Sequence, residues 1–368
     1  MRILIAPNHF KHALAADLAA RAIARGILQK NPHHQCVLFP IADGGDGTSN
    51  LLHQHLGGSV VRVAAMDPLE RSMQATYYLN VDGKTAIMDM AAASGITLLK
   101  PEERDPLHAH SFGTGMLIKD AISKGVRKII IGVGGTATND GGMGILRALG
   151  MKFWDDVGKE IKYPADLHQL FMIDMSGLDA RIASCEIDVL CDVRNPLLGD
   201  EGATAVFGAQ KGATPAMMQV LESGLTRLAD KTEVLTGRHI RKLMHSGAAG
   251  GAASGLYSFM HARLVEGTGY FLNSTGFASA LKAADLVITG EGSLDAQTLQ
   301  GKGPYGVAIM ARAAGVPIIG LAGRISDREQ LQPFFDQLLS INTEHQTLDQ
   351  MLLATERNLE ITAANLKL

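Results

Sequence analysis

The sequence has no G-x-x-x-x-G-K-[ST] segment. Its Gly-Lys pairs at Lys84, Lys159 and Lys302 lack the earlier glycine at the required spacing, which excludes a P-loop nucleotide site. A G-x-S-x-G elbow is also missing, which removes the commonest serine-hydrolase reading. Cysteine is scarce: Cys36, Cys185 and Cys191 form no C-x-x-C pair, so neither a disulfide framework nor a structural zinc site is indicated. No apolar run reaches the ~18 residues that a membrane-spanning helix needs. The opening MRILIAPNHF falls far short of a secretory h-region and reads as a first strand. Charge excess is missing too, since 34 basic against 37 acidic residues give a formal net charge of -3, too neutral for the basic field that nucleic-acid binding uses. These absences predict a cytoplasmic protein with no nucleic-acid and no membrane partner, and no sustained heptad specifies an oligomer, which leaves a homodimer open.

What is present suits a folded enzyme. Apolar residues make up 46% of the 368 and charged residues 19%, enough to build cores throughout. Short apolar runs alternate with helix-patterned stretches, the signature of parallel sheets covered by helices. Strands are expected at residues 2–6, 36–40, 85–90, 128–133, 186–191, 285–289, 317–321 and 338–341. Leu14, Leu18, Ala22, Ile23, Ile27 and Leu28 recur at helical spacing and predict a crossover helix after the first strand. Both ends of the chain share this rhythm, whereas the middle is richer in glycine. We therefore expect a discontinuous domain of residues 1–65 plus 284–368 and a second α/β domain of residues 66–283.

Several glycine-rich segments follow expected strands and carry carboxylates or amides. In Ala42-Asp-Gly-Gly-Asp-Gly-Thr48, the turn at Gly44 and Gly45 precedes a helix whose first N–H groups suit an anion, and Asp43 and Asp46 suit a hard cation; an N-cap with a turn is the bland alternative. Residues 132–144 crowd Thr136, Thr138, Asn139 and Asp140 at a helix start, suited to phosphate or a hydroxy acid, or simply to capping. Gly132 and Gly134 resemble a dinucleotide fingerprint only weakly, because the third glycine falls at the wrong offset; a nicotinamide enzyme is disfavoured. Asp192 and Asn195 lie just beyond a strand, and Lys211 is a point charge able to screen a phosphoryl group. Gly250 and Gly251 admit either a nucleotide or a tightly packed helix, and Glu291 and Asp295 follow another strand end.

Jointly the segments Ala6-Pro-Asn-His-Phe-Lys11, Ala42-Asp-Gly-Gly-Asp-Gly-Thr48, Met90-Ala-Ala-Ala-Ser-Gly95, Gly134-Gly-Thr-Ala-Thr-Asn-Asp-Gly-Gly142, Cys191-Asp-Val-Arg-Asn-Pro-Leu197, Gln210-Lys-Gly-Ala213 and Thr289-Gly-Glu-Gly292 resemble the bacterial glycerate kinase family, type 1. The resemblance runs from the first strand to about Gly323. It implies a flavodoxin-like parallel-sheet lobe with an inserted mixed α/β lobe. It also implies ATP with Mg2+ as donor, D-glycerate as acceptor and 2-phosphoglycerate as the usual product. Phosphoryl transfer asks mainly for positioning and for cations that spread charge. On that chemistry Asp192 is expected to be the base, with Asp43 or Asp295 as runner-up, and Lys11 and Lys211 to meet phosphate charge. Asp43, Asp46, Glu291 and Asp295 are expected to serve magnesium, while the Thr136 to Asp140 segment, Asn195, Gly44, Gly45, Gly250 and Gly251 hold substrate or phosphate.

One segment departs from the family pattern Pro-Asp-Ser-Phe-Lys-Gly-Ser-Leu-Ser: this chain has Pro7-Asn-His-Phe-Lys-His-Ala-Leu-Ala15, with an amide where a carboxylate is usual and the hydroxyls gone. Two rival functions share this reading: a kinase forming 3-phosphoglycerate, and a non-catalytic sensor of a hydroxy acid or nucleotide.

Overall fold

The computed structural model describes residues 1–342 and 347–368. Among them the strands are β1 (Arg2–Pro7), β2 (Gln35–Leu38), β3 (Ser59–Met66), β4 (Ser72–Leu79), β5 (Thr85–Asp89), β6 (Lys128–Gly132), β7 (Lys152–Trp154), β8 (Met172–Asp174), β9 (Glu186–Cys191), β10 (Arg263–Glu266), β11 (Leu286–Leu294), β12 (Ile318–Ile325) and β13 (Gln337–Ser340). By its internal contacts the chain divides into two units, Met1–Asp43 with Thr268–Leu368, and Gly44–Gly267. The first unit thus ends at Asp43 and resumes at Thr268, where composition alone set the limits near residues 65 and 284.

The first unit is built on a five-stranded sheet ordered β13-β12-β11-β1-β2, parallel throughout. Counted along this unit alone, that order is 2-1-3-4-5 read from the β2 edge, the flavodoxin-like doubly wound arrangement, whose switch point falls between β1 and β11. The helix Ala16–Lys30 covers β1 with an alanine-rich face of Ala16, Ala19, Ala20, Ile23 and Ile27. The sequence periodicity misplaced part of that face. Leu14 precedes the helix, and Leu18 and Leu28 lie exposed, because small residues let the helix Thr355–Ala364 approach closely. A Cβ on Gly26 would lie 2.1 Å from the Glu360 carbonyl oxygen. Arg25 ties the pair from outside through Glu356 and Glu360.

The second unit carries a six-stranded sheet ordered β10-β9-β6-β5-β4-β3 and a separate β7-β8 ribbon. Strands β10, β9, β6 and β5 are parallel, and β4 and β3 add an antiparallel hairpin. The hairpin went unnamed in the sequence reading although its signal is plain: Val61, Val63 and Ala65 face Tyr77, Ala75 and Met73 with period two, and the rest of each strand is more exposed. Its turn is closed by Asp67, which accepts hydrogen bonds from the Leu69 and Arg71 amides, both 2.9 Å. Ile129, Ile131, Ile187 and Val189 carry the unit's core between the sheet and its helices.

Candidate functional site

In the first unit, β1 leaves the sheet after the pair Pro7↔Gly290, while β11 continues beside β12 to Leu294. The switch point therefore opens where Asn8 and Glu291 stand. Asn8 is 1% exposed, and its Nδ2 donates to Asp43 Oδ2 at 2.9 Å. The amide at position 8 thus gives Asp43 a donor where a carboxylate would have set two negative groups face to face. The first turn of the helix Gly303–Ala314 packs here as well: a Cβ on Gly303 would lie 3.0 Å from Asn8 Nδ2. Glu291 is buried and accepts from Thr298 Oγ1 at 3.2 Å. Burial pushes its carboxyl up to about 7; Lys302 pulls it back, Asp43 pushes it further, and Thr298 and Lys11 oppose the rise.

Lys11 and Lys302 thereby enter the same cluster as Asp43 and Glu291. Lys302 was mentioned in the sequence only as a failed P-loop pair, although Gly301-Lys-Gly-Pro304, with proline inside the first turn, marks a helix start. Asp295 reaches this cluster through Lys302, whose Nζ lies 3.7 Å from its Oδ1, and it also caps a turn. Its Oδ1 caps the turn Ala296–Gln300 by accepting from the Gln297 and Thr298 amides at 2.9 and 3.2 Å, and its Oδ2 accepts from Ser293 Oγ.

In the second unit the carboxyl ends of β5, β6 and β9 are covered by a glycine turn. Gly44 O accepts from Gly134 N at 3.0 Å; a Cβ on Gly132 would lie 2.7 Å from Asp89 Oδ1, and one on Gly134 would lie 2.7 Å from Gly45 Cα and 2.8 Å from Asp192 Oδ2. Bare backbone at these positions is what allows the turn and Asp192 to lie flat on the strand ends. Gly44 itself has φ +97. The sequence offered the start of the helix Thr48–Leu56 to an external anion, but an internal one is already there. Asp89, at the end of β5, accepts from Gly47 N (3.0 Å), Ser49 N (3.0 Å) and Ser49 Oγ (2.8 Å). Burial pushes Asp89 up to about 7 against those donors, and the charge of Asp46 adds to the rise. Asp46 is exposed, one residue before that helix's cap.

The loop after β6 leaves some of its polar atoms bonded within the fold and others without a partner among the described residues. Asp140 is fully buried and accepts four hydrogen bonds, from Ser111 N (2.9 Å), Ser111 Oγ (2.7 Å), Gly142 N (3.0 Å) and Gly144 N (3.0 Å), which fixes the start of the helix Met143–Ala148. Asn139 Nδ2 donates to Thr204 Oγ1 at 3.1 Å, yet Asn139 Oδ1 and Thr138 Oγ1 are buried without a partner among the described residues. Lys211 is 3% exposed and donates to the Thr138 carbonyl oxygen at 2.6 Å. Burial holds its ammonium down at about 8, with Asp140 and Asp192 pulling the other way.

The remaining candidates are less engaged. Thr136 is buried, in a short bridge with Gly95, and Asn195 Nδ2 donates to the Glu201 carbonyl oxygen at 2.8 Å. Gly250 and Gly251 serve packing: added Cβ atoms would lie 2.1 Å from Thr138 O and 2.6 Å from Leu197 Cδ1. The second unit thus brings together Asp192, Lys211, Asp140, Thr138, Asn139 and the Gly44–Gly45 turn; the first brings together Asn8, Lys11, Asp43, Glu291, Lys302 and Asp295.

No helix among the described residues is long and apolar enough to cross a membrane. The model of the glycerate kinase family matches residues 3–367. A glycerate kinase of Bacillus subtilis (strain 168) is 44% identical over 89% of this chain and 86% of its own length. A glycerate 2-kinase of Escherichia coli (strain K12) is 41% identical over 95% of this chain and 93% of its own. A crystal structure of a protein assigned as glycerate kinase 2, from Salmonella typhimurium LT2, superposes with a TM-score of 0.80 at 42% identity, covering 99% of this chain and 96% of that one. With strand-end acids, amides and a buried lysine on an α/β frame of this kind, and a family match from near one terminus to near the other, the chain belongs to the glycerate kinase family and is a phosphotransferase acting on an alcohol group.

Proposed function

We propose that this enzyme transfers the terminal phosphoryl group of ATP to the 2-hydroxyl of D-glycerate, in the cytoplasm, with magnesium bound to the nucleotide. The observation that carries the reading is the buried Lys211 ammonium, bonded to the Thr138 carbonyl oxygen and within electrostatic reach of Asp192 and Asp140 at the carboxyl edge of parallel strands. Such a pairing supplies a carboxylate to receive a hydroxyl proton and a cation to offset phosphoryl charge. Asp192 is the base that takes the proton of the acceptor hydroxyl as its oxygen attacks phosphorus. Lys211 offsets the charge that the phosphoryl oxygens carry through the transition state. The Thr136 to Asn139 segment and Asn195 orient glycerate, and Asp140 keeps that loop in place through its four internal hydrogen bonds.

The residues for magnesium are tested by the donor set. Among the described residues no group of three or more histidine, cysteine or acidic side chains is arranged to hold a metal. Nucleotide-bound magnesium asks for less, one or two carboxylates beside phosphates and water. Asp43 and Glu291, both buried in the first unit, fit that demand. Bound there, magnesium would neutralise phosphate charge. Lys11 and Lys302 stand on the same cluster and orient the phosphates.

The test is direct. The protein is mixed with D-glycerate, ATP and Mg2+, ADP release is followed by a coupled assay, and the product is read by phosphorus NMR. A phosphorus split by one proton marks the 2-phosphate, and one split by two marks the 3-phosphate, the rival product. A sensor would release no ADP above background.

A further inference from the structure

Glycerate differs from a neutral polyol by its carboxylate, so an enzyme that selects it needs a fixed cation for that group, apart from the lysines that face phosphate. Arg104 has the required features. It is partly buried, its Nε is shielded from solvent without a hydrogen-bond partner, and its side chain makes no ion pair with any described residue. Both adjacent acids are engaged elsewhere, Glu103 with Arg71 at 2.7 Å and Asp105 with His108 at 2.6 Å. One buried guanidinium donor is thus left unpaired, and an incoming anion would satisfy it.

Its position points to the acceptor. The turn Ala209–Lys211 ends on Gly212, at φ +95, and a Cβ there would lie 2.5 Å from the Arg104 carbonyl oxygen and 3.0 Å from Arg104 Cβ. Arg104 is therefore packed against the turn that delivers Lys211. The segment that carries it is anchored again at Ser111, whose amide and hydroxyl both bind Asp140. Two anchors fix the backbone of this short segment, and a planar guanidinium fork carried on it is suited to bidentate pairing with a carboxylate.

We propose that Arg104 binds the carboxylate of the acceptor acid and sets the preference of this enzyme for hydroxy acids over uncharged polyols. The proposal rests on the glycerate kinase reading above. Its test is steady-state kinetics of Arg104→Ala and Arg104→Lys with D-glycerate and with ATP varied separately. Loss of a charge-assisted pair should raise the KM for D-glycerate by about 10- to 100-fold with the KM for ATP unchanged. Arg104→Lys, which keeps charge and stem but not the fork, should fall between. Millimolar guanidinium should restore part of the Arg104→Ala activity, which a merely structural loss would not allow. A rise confined to the KM for ATP would overturn the proposal by making the guanidinium a phosphate contact; so would an Arg104→Lys enzyme with wild-type kinetics. If the wild type itself released no ADP with D-glycerate, the functional reading would fall; a wild type that is active beside indifferent variants would remove this inference alone.

Discussion

The carboxyl edges of the two sheets solve the same problem by different means. In the first unit the strand order reverses between β1 and β11, so a crevice arises from topology, and Asn8, Asp43 and Glu291 gather there. In the second, β5, β6, β9 and β10 follow one another without reversal, and a turn has to be laid across the strand ends; Gly44, Gly132 and Gly134 make room for it. The electrostatics differ accordingly. The first edge buries Glu291 beside Asp43, a carboxylate that is hard to ionise there, whereas the second buries a lysine that is hard to protonate. A buried carboxylate pair suits a cation, and a buried lysine suits a migrating anion.

That contrast can be broken most sharply at Asp192. Asp192→Asn should lower kcat by about 10³- to 10⁴-fold with an unchanged melting temperature, since the amide keeps the shape but not the proton acceptor; near-normal turnover would exclude the role. Lys211→Met should lower kcat/KM by about 10²-fold. Because burial holds Lys211 at about 8, below its ordinary 10.5, its charge is present under pH 8 and lost above it. Wild-type kcat/KM should therefore fall above about pH 8, and that limb should vanish in the methionine variant.

The first unit offers a subtler test. Glu291 titrates at about 7 in the folded chain against 4.5 ordinarily, so between those values the folded protein keeps a proton that the unfolded chain has shed. Its contribution to stability is present below pH 4.5 and lost as pH rises through 7. A cation bound to the ionised group reverses that loss, so Mg2+ should raise the melting temperature more at pH 8 than at pH 6. Glu291→Gln should flatten the difference, and equal shifts at both pH values in the wild type would remove Glu291 from the metal site. Smallest of all, Asp295→Ala should cost about 1 kcal/mol of stability, the worth of a cap, with kcat nearly intact; a large loss of activity would return Asp295 to the magnesium site.

Much of this was legible in the chain. The eight expected strands all occur, with β11 and β12 running further, because period and turn chemistry are local. The glycine-bearing turns fell at strand ends for the same reason. The short strands β7, β8 and β10 and the β3–β4 hairpin were missed, the first three because three or four residues carry no readable period. Asp89 was passed over inside an apolar run, where nothing nearby in sequence shows that it will meet the amides of Gly47 and Ser49. Arg104, among ordinary charged neighbours, carried no signal at all.

Composition and order of residues were enough to establish an α/β protein with acids, amides and lysines at its strand ends, since each of those features depends on a few consecutive residues. Which acids are tied up by donors within the fold depended largely on packing that sequence order does not show. Asp140 is saturated by Ser111 and its own helix start, Asp89 by the turn at Gly47, and Asp295 by the turn that follows it, while Asp43 is met by the amide of Asn8. A carboxylate takes its role from the donors that folding brings to it, and most of those donors come from distant parts of the chain.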